Sequence, residues 1–347
     1  MTIVWFILVL GAIILVHEFG HFLLAKLTGV YVYEFSLGMG PRLFKFKKRK
    51  GGETEYSIRL FPIGGYVQLA GEDADNNEKI PKKRQLYSKN FIQKVLIMGA
   101  GATFNFIFAF IVLFISGLVY GSTINTPVID GIEKGYPADN TSLKSGDTIV
   151  SVDGEKIDSW NELSLAIQSS KGNDIVLDAK DSSGKIKTVT ITPKKVETDN
   201  GATAYAIGIS KKTVKEYGFG SAIKSAWNTT KSLFKLMFAT LKSLFTGGVS
   251  VSELSGPVGI YTIVGDQAKA GFEHLLYLVA FLSVNVGVIN LIPFPAFDGG
   301  RIFFLIIEKI SRKKISPKVE ATVNTIGFTL LMLLMVFVTF NDILRLF

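Results

Sequence analysis

The chain has 347 residues, 48% of them hydrophobic, which is too apolar for a typical soluble protein and indicates several membrane spans joined to a polar part. It contains no cysteine, so disulfide scaffolds, thiolate metal sites and a cysteine nucleophile are excluded. The net charge of +9 does not indicate nucleic-acid binding, because the lysines cluster beside apolar segments, where membrane anchoring accounts for them.

The first apolar segment, residues 3–24, is long enough to span a membrane and carries the motif His-Glu-Phe-Gly-His at residues 17–21. His17 and His21 lie about 40° apart on one helix face and can bind one Zn²⁺ ion, while Glu18 beside them is placed to act as a general base. A chance match is the alternative for so short a motif. Imidazoles and a carboxylate in hydrocarbon are costly without a partner, however, so we expect a metal site.

Residues 30–69 are rich in aromatic and β-branched residues and in glycine pairs, which predicts β-hairpins lying against the membrane. Such a hairpin next to the metal motif either offers an open edge to an extended peptide or is a plain connecting sheet. Residues 73–84 are polar and are predicted to form an exposed loop. The second span, residues 94–120, begins with small residues that permit close helix packing. Within it, Asn105 either hydrogen-bonds between helices or faces the active site.

The segment 121–212 has a soluble composition. It predicts a strand that enters a tight turn at Asp153-Gly154, a short helix over 160–167, and strands over 175–179 and 188–192. The next segment, 213–272, begins with an apolar stripe opposed by lysines, which predicts a helix lying on the membrane surface, followed by a turn-rich linker. A further span is the alternative for this helix.

A third span, 273–298, ends at two prolines and Asp298, and a basic segment, 299–320, leads to a last span, 321–347. Basic loops favour the cytoplasm, so we expect both termini and the 121–212 domain outside and the histidines near the cytoplasmic side. The predicted divisions of the chain are 1–28, 29–93, 94–120, 121–212, 213–272, 273–298, 299–320 and 321–347.

A catalytic zinc site needs about three protein ligands, and the first span supplies two. His274 opens the third span at its outer end, about a membrane thickness from His17 and His21. Asp298 ends that span at the depth of the two histidines, which makes it the predicted third ligand. The alternative is that Asp298 caps a helix beginning near Gly299.

These paired motifs, His-Glu-x-x-His at 17–21 and Asn-x-x-Pro-x-x-x-x-Asp-Gly at 290–299, resemble those of the site-2 protease family of intramembrane zinc metalloproteases. The segment Lys144-Ser145-Gly146-Asp147 is similar to a signature of PDZ domains, and the order of segments resembles the RseP/RasP type, whose members cleave anti-sigma factors. The resemblance implies Zn²⁺ held by the two histidines and Asp298, Glu18 as catalytic acid/base, and substrate binding at Asn290 and Pro293. Ala102 stands where the family's second-span motif has proline.

The predicted fold is a polytopic α-helical membrane protein of four transmembrane helices, with a membrane-associated β-hairpin region and an extracytoplasmic PDZ-like β-rich domain. We expect hydrolysis of peptide bonds in a transmembrane segment of a single-span membrane protein, an anti-sigma factor or a signal-peptide remnant. The edge strand between Val30 and Leu69 and the Asn290 amide would hold the substrate extended, and Asn105 is a further predicted substrate-binding residue. The PDZ domain, binding a peptide or substrate tail, would admit only trimmed substrates. The alternatives are a catalytically silent PDZ-bearing membrane adaptor and, less well supported, a metal transporter.

Overall fold

The structure of the chain is a computed structural model that describes residues 1–46, 52–72, 80–123, 126–197, 203–212, 215–245 and 255–345. The chain divides into two compact units. The first unit comprises Met1–Ser116 and Ala226–Phe347, and the second comprises Gly117–Ser225. Residues 73–79 of the predicted exposed loop at 73–84 lie outside the described residues, as does Gly51 of the glycine pair at 51–52.

Helices dominate the first unit. Over the described ranges of the whole chain the α-helices are α1 (Thr2–Leu27), α2 (Phe91–Tyr120), α3 (Trp160–Ser169), α4 (Phe219–Phe245), α5 (Pro257–Ala270), α6 (Phe272–Leu291), α7 (Asp298–Ser311) and α8 (Pro317–Leu344), and of these α3 belongs to the second unit. Four of these described helices, α1, α2, α6 and α8, are long and apolar enough to cross a membrane. The prediction of four apolar helices long enough to span a membrane is therefore confirmed, although α6 ends at Leu291, before the predicted end of the third span at residue 298.

Small residues bring α1 and α2 together at the level of the histidines. A Cβ added to Gly20 of α1 would lie 2.5 Å from the carbonyl oxygen of Ala100 in α2, so only glycine permits this backbone approach. Away from this crossing, apolar side chains of α1, α2, α5 and α6 form the core, with Ile13, Val264 and Val284 fully buried. The amphipathic helix α4 joins that core through Phe234, whose ring lies 4.6 Å from that of Phe106.

Two long strands, β1 (Val32–Phe46) and β2 (Glu55–Leu69), follow α1. Both bend, so that Glu34 pairs with Gln68 on one side and with Glu55 on the other, and Phe46 pairs with Tyr56. Glycines with positive φ at 38, 40 and 64 permit the bends. Gly65–Leu69 therefore forms one edge of the sheet, and β2 packs against α1.

The second unit is rich in strands. Over its described residues these are β3 (Ser122–Thr123), β4 (Ile129–Ile132), β5 (Thr148–Val152), β6 (Glu155–Lys156), β7 (Ile175–Lys180), β8 (Ile186–Ile191), β9 (Lys194–Glu197), β10 (Thr203–Ala206), β11 (Ile209–Lys211) and β12 (Lys215–Glu216). The antiparallel order β6-β5-β7-β8 forms its main sheet, and three two-stranded pairs, β9 with β10, β4 with β11 and β3 with β12, complete it. Ile149, Leu163 and Leu177 lie in its buried core.

The predicted Asp-Gly turn and the polar signature of this unit both appear in the structure. Asp153 and Gly154 have φ of 51° and 79°, the two positive angles that a tight type I′ turn between β5 and β6 requires. Asp147 is buried, accepts a hydrogen bond from the Lys144 backbone N–H at 2.9 Å, and pairs with Lys187 at 3.2 Å. The signature therefore stabilises the loop that leads into β5.

Two segments differ from the sequence expectation. Part of the predicted turn-rich linker is the helix α5, because Pro257 occupies the first helical position, where its missing N–H costs nothing. Most of the predicted basic loop is the helix α7. Its apolar residues Phe303, Ile306, Ile307 and Ile310 recur at helical spacing among the cations, a periodicity that the charge density obscured.

Candidate metal centre

Three side chains from two distant parts of the chain converge beside the α1–α2 crossing. Asp298 Oδ2 lies 3.2 Å from His17 Nε2 and 3.2 Å from His21 Nε2, and the two Nε2 atoms lie 3.3 Å apart. His17 and His21 share a face of α1, and Asp298 is the first residue of α7. The three residues form the one cluster of potential metal ligands found among the described residues.

The spacing of these atoms fits a tetrahedral metal. Zinc bonds of about 2.0 to 2.1 Å at tetrahedral angles place neighbouring ligand atoms about 3.3 Å apart, which matches all three separations. Asp298 Oδ2 is buried without a hydrogen-bond donor. Three lone-pair atoms this close together repel one another unless a cation lies between them, so this set of ligands suits Zn²⁺ and leaves a fourth position for a water or a substrate oxygen.

The ring orientation of His21 is set by α2. His21 Nδ1 lies 2.8 Å from the carbonyl oxygen of Ile97, which only an Nδ1–H donor can satisfy. The proton on Nδ1 leaves Nε2 as the lone-pair nitrogen that faces Asp298 and a metal ion. This contact could not be predicted from the sequence, because a backbone carbonyl acceptor is present at every residue.

Asn105 orients the other imidazole. It is fully buried, and its side-chain amide lies 3.3 Å from His17 Nδ1, while Ser283 donates to its backbone carbonyl at 2.9 Å. A His17 that binds metal through Nε2 carries its proton on Nδ1, so the amide then presents its oxygen as the acceptor. Of the two predicted placements, an interhelical hydrogen bond or a side chain facing the active site, the structure shows Asn105 beside the site. There its side chain contacts His17 and is buried from solvent.

The helix that supplies Asp298 begins in a tight loop. A Cβ on Gly299 or on Gly300 would overlap the backbone of residues 291–295, so both glycines are required where the loop folds over the start of α7. The N-cap of α7 is Phe297, and no side chain caps it. The alternative that Asp298 serves as the N-cap is therefore wrong, and its carboxylate faces the histidines.

Glu18 lies beside the histidines and against the hairpin. A Cβ on Gly65 would come within 3.0 Å of Glu18 Cγ and 2.9 Å of the Ser36 carbonyl oxygen, so the Gly65 edge of the sheet passes directly over Glu18. One turn beyond Asp298, Arg301 forms an ion pair with Glu72, which follows β2. The hairpin therefore contacts both α1, which supplies the two histidines, and α7, which supplies Asp298.

The remaining predicted residues occupy the loop and helix before Asp298. Asn290 lies in the last turn of α6, where its amide donates to the Val286 carbonyl oxygen at 2.9 Å, and Pro293 follows in the loop. His274 lies in the first turn of α6, at the opposite end from Asn290, and does not join the cluster.

Gly101 was not predicted as a site residue. A Cβ there would lie 2.7 Å from His17 Nε2, although the small-residue run 99–102 did predict close packing.

Comparisons with known proteins cover nearly the whole chain. Residues 5–334 match the family model described as Peptidase family M50. A Clostridium perfringens protein whose name places it among the zinc metalloproteases is 40% identical over 99% of this chain and 99% of its own length. The regulator of sigma-W protease RasP of Bacillus subtilis is 33% identical, over 100% of this chain and 99% of its own. Among solved structures, the PDZ domain of an SdrC-like protein of Listeria monocytogenes matches 25% of this chain and 86% of that chain, with 23% identity and a TM-score of 0.22.

Proposed function

The chain belongs to peptidase family M50 and is a zinc metalloprotease of a bacterial membrane, and we propose that it cleaves peptide bonds within transmembrane segments of single-span membrane proteins. The observation that carries this proposal is the convergence of His17 and His21, on the candidate span α1, with Asp298, which follows the candidate span α6 after a short loop. A protease with two of its metal ligands on a membrane span meets its substrate at membrane depth. The enzyme names of the relatives give no support to a silent adaptor.

His17, His21 and Asp298 hold the metal, and Glu18 is the catalytic acid/base. Zn²⁺ bound there supplies a Lewis acid for the scissile carbonyl and lowers the pKa of water to about 7. The Glu18 carboxylate accepts the proton of the attacking water and returns it to the leaving amine nitrogen. Asn105 and the Ile97 carbonyl keep both imidazoles in the tautomer that binds metal.

The substrate must be extended where it is cut, because a helix hides its carbonyls in its own hydrogen bonds. The edge Gly65–Leu69 lies over Glu18 and pairs, within the described residues, with β1 alone. Its outer side offers backbone groups to an unwound substrate strand. Asn290 and Pro293, which precede Asp298 in the same loop, would contact the other side of that strand.

The second unit is proposed as an extracytoplasmic PDZ domain that binds a peptide or the tail of a substrate. The Lys144 to Asp147 loop, the antiparallel sheet and α3 support this assignment. By binding or excluding the outer part of a substrate, the domain would restrict cleavage to proteins already trimmed outside the membrane. Anti-sigma factors and signal-peptide remnants are the substrate classes proposed, with the metal site near the cytoplasmic side.

The test compares Glu18→Gln and Asp298→Asn with the wild-type chain, measuring zinc content and cleavage of a single-span membrane peptide. Glu18→Gln should keep the zinc and lower the cleavage rate by at least about 100-fold, because only the proton transfer is lost. Asp298→Asn should lose zinc and activity together. Asp266→Asn, on the exposed side of α5, is the control and should change neither. Full zinc occupancy in Asp298→Asn would overturn the ligand assignment.

A further inference from the structure

A cavity of about 290 Å³ opens where α2 begins and α7 ends. Phe91 and Leu305 form its apolar wall, and Glu308 lies among its polar residues. The other lining residues are all cations: Lys94, Lys309, Arg312, Lys313 and Lys314. This cavity is distinct from the metal centre, since none of its residues belongs to the ligand cluster.

The positive charge of this cavity is not compensated within the described chain. Five cations face one carboxylate, and that carboxylate, Glu308, is engaged in accepting the Ile315 backbone N–H at 2.9 Å. In the parts of the chain that the structure describes, none of the five cations lies within ion-pair distance of a carboxylate. Lys309 Nζ stands 4.7 Å from the centre of the Phe91 ring, which holds one ammonium at the wall. The charge of the cavity therefore favours an anion.

The depth of the cavity follows from the helices that form it. Phe91 is the first residue of a candidate span, so the cavity lies where that span leaves the membrane. Phe303 and Ile310 are 46% and 78% exposed on the face of α7 opposite to Leu305 and Lys309. A helix with one exposed apolar face and one cationic face lies in the membrane interface, with its cations among the headgroups.

We propose that this cavity binds the phosphodiester headgroup of an anionic phospholipid. Lysine and arginine side chains between membrane helices at headgroup depth bind lipid phosphates through charge-assisted hydrogen bonds. The cavity is slightly smaller than the roughly 300 to 1,000 Å³ pockets that hold drug-sized ligands, so it suits a headgroup. Lysines that only orient a span project separately into water, whereas these five residues surround one space. Because α7 begins at Asp298, a lipid bound at its end ties that helix to the bilayer.

The experiment measures the melting temperature of the purified full chain in neutral detergent with added phosphatidylglycerol, phosphatidylcholine or inorganic phosphate. We expect phosphatidylglycerol alone to raise it. Substituting Lys309, Arg312 and Lys314 together by glutamine should weaken the apparent phosphatidylglycerol affinity on the order of 100-fold, from about fivefold for each cation. The melting temperature without lipid reports whether the variant is folded.

The matched control removes three exposed lysines from the second unit, Lys134, Lys185 and Lys195, also by glutamine. It loses the same charge and should keep the wild-type response. An equal loss of affinity in the two variants would show a general attraction to charge and would overturn the site. If inorganic phosphate raised the melting temperature as much as phosphatidylglycerol does, the cavity would be a site for a soluble anion. That result would also overturn the proposal of a lipid ligand. Native mass spectrometry from mixed-lipid micelles should show one retained phosphatidylglycerol that the cavity variant lacks.

Discussion

Gly101 of α2 faces the His17 imidazole so closely that no side chain fits between the two helices. A Cβ at position 101 would lie 2.6 Å from His17 Cε1 and 2.7 Å from Nε2, well inside van der Waals contact. His21 Nε2 would lie even nearer to this Cβ. Gly101→Ala should therefore displace both imidazoles and lower zinc affinity by at least about tenfold, the lower range for disturbing a ligand's support. Metal analysis after dialysis against a weak chelator measures this loss.

Gly99→Ala is the control for that substitution, two residues earlier in the same helix. Its Cβ would meet only Ile302 Cδ1, at an ordinary 3.9 Å. Alanine favours a helix by about 1 kcal/mol over glycine, so this variant should keep its zinc and melt no lower than wild type. If Gly99→Ala and Gly101→Ala lose zinc equally, the loss comes from the helix crossing as a whole and not from contact with the two histidines.

Replacing Asn105 by leucine should change zinc affinity, whereas replacing Asn290 by leucine should change KM for the substrate. Asn105→Leu removes the polar partner of His17 Nδ1 in a fully buried place and should lower zinc affinity about 10- to 100-fold. Asn105→Asp keeps an acceptor for Nδ1–H and should retain the zinc. Asn290→Leu should leave zinc binding unchanged, because the Asn290 side chain bonds its own helix and not a metal ligand. It should raise KM, because Asn290 is proposed to contact the substrate. Zinc titration together with KM for the membrane peptide distinguishes the three variants.

The metal centre was largely predictable because helical spacing and membrane depth are both visible in a sequence. The four-residue interval places His17 and His21 on one face, and counting spans places Asp298 at their level. The contacts of Gly101 and Asn105 depend on the rotation of α1 against α2, which packing alone decides. The periodicity of the sequence does not predict how α1 is rotated relative to α2.

The hairpin region shows the same division. Its strands were predicted from β-branched and aromatic content. The sequence did not predict that the two strands would bend so that Glu34 pairs with a residue of β2 on each side. That pairing brings Ser57 and Arg59 to the buried Glu34 carboxylate, at 2.5 and 3.0 Å. Long-range register of this kind follows from the closed set of hydrogen bonds and not from local propensity.

Glu53 provides a pH-dependent link between the strands and α1. Two hydrogen bonds from Arg84, at 2.6 and 2.7 Å, and one from Lys26 at 3.0 Å lower the pKa of the Glu53 carboxyl to about 2. A depressed folded pKa contributes stability above the unfolded value near 4.5 and loses it as pH falls toward 2. The melting temperature of wild type should therefore drop between pH 5 and 3 more than that of Glu53→Gln. Parallel melting curves for the two proteins over that range would exclude this contribution.

Gly65 should affect catalysis without affecting the metal. Its Cβ would come within 3.0 Å of Glu18 Cγ and 2.9 Å of the Ser36 carbonyl oxygen, while neither histidine lies among its nearest neighbours. Gly65→Ala should push Glu18 away from the attacking water and so lower kcat by about 10- to 100-fold at full zinc content, a partial loss of the roughly 100- to 10,000-fold that general base catalysis supplies. Gly11→Ala, in α1 with nothing within 4 Å of the added Cβ, is the control and should behave as wild type. If Gly65→Ala raises KM at unchanged kcat, the glycine serves the substrate edge of the sheet and does not position Glu18. Loss of zinc in Gly65→Ala would instead place the hairpin in the support of the ligands.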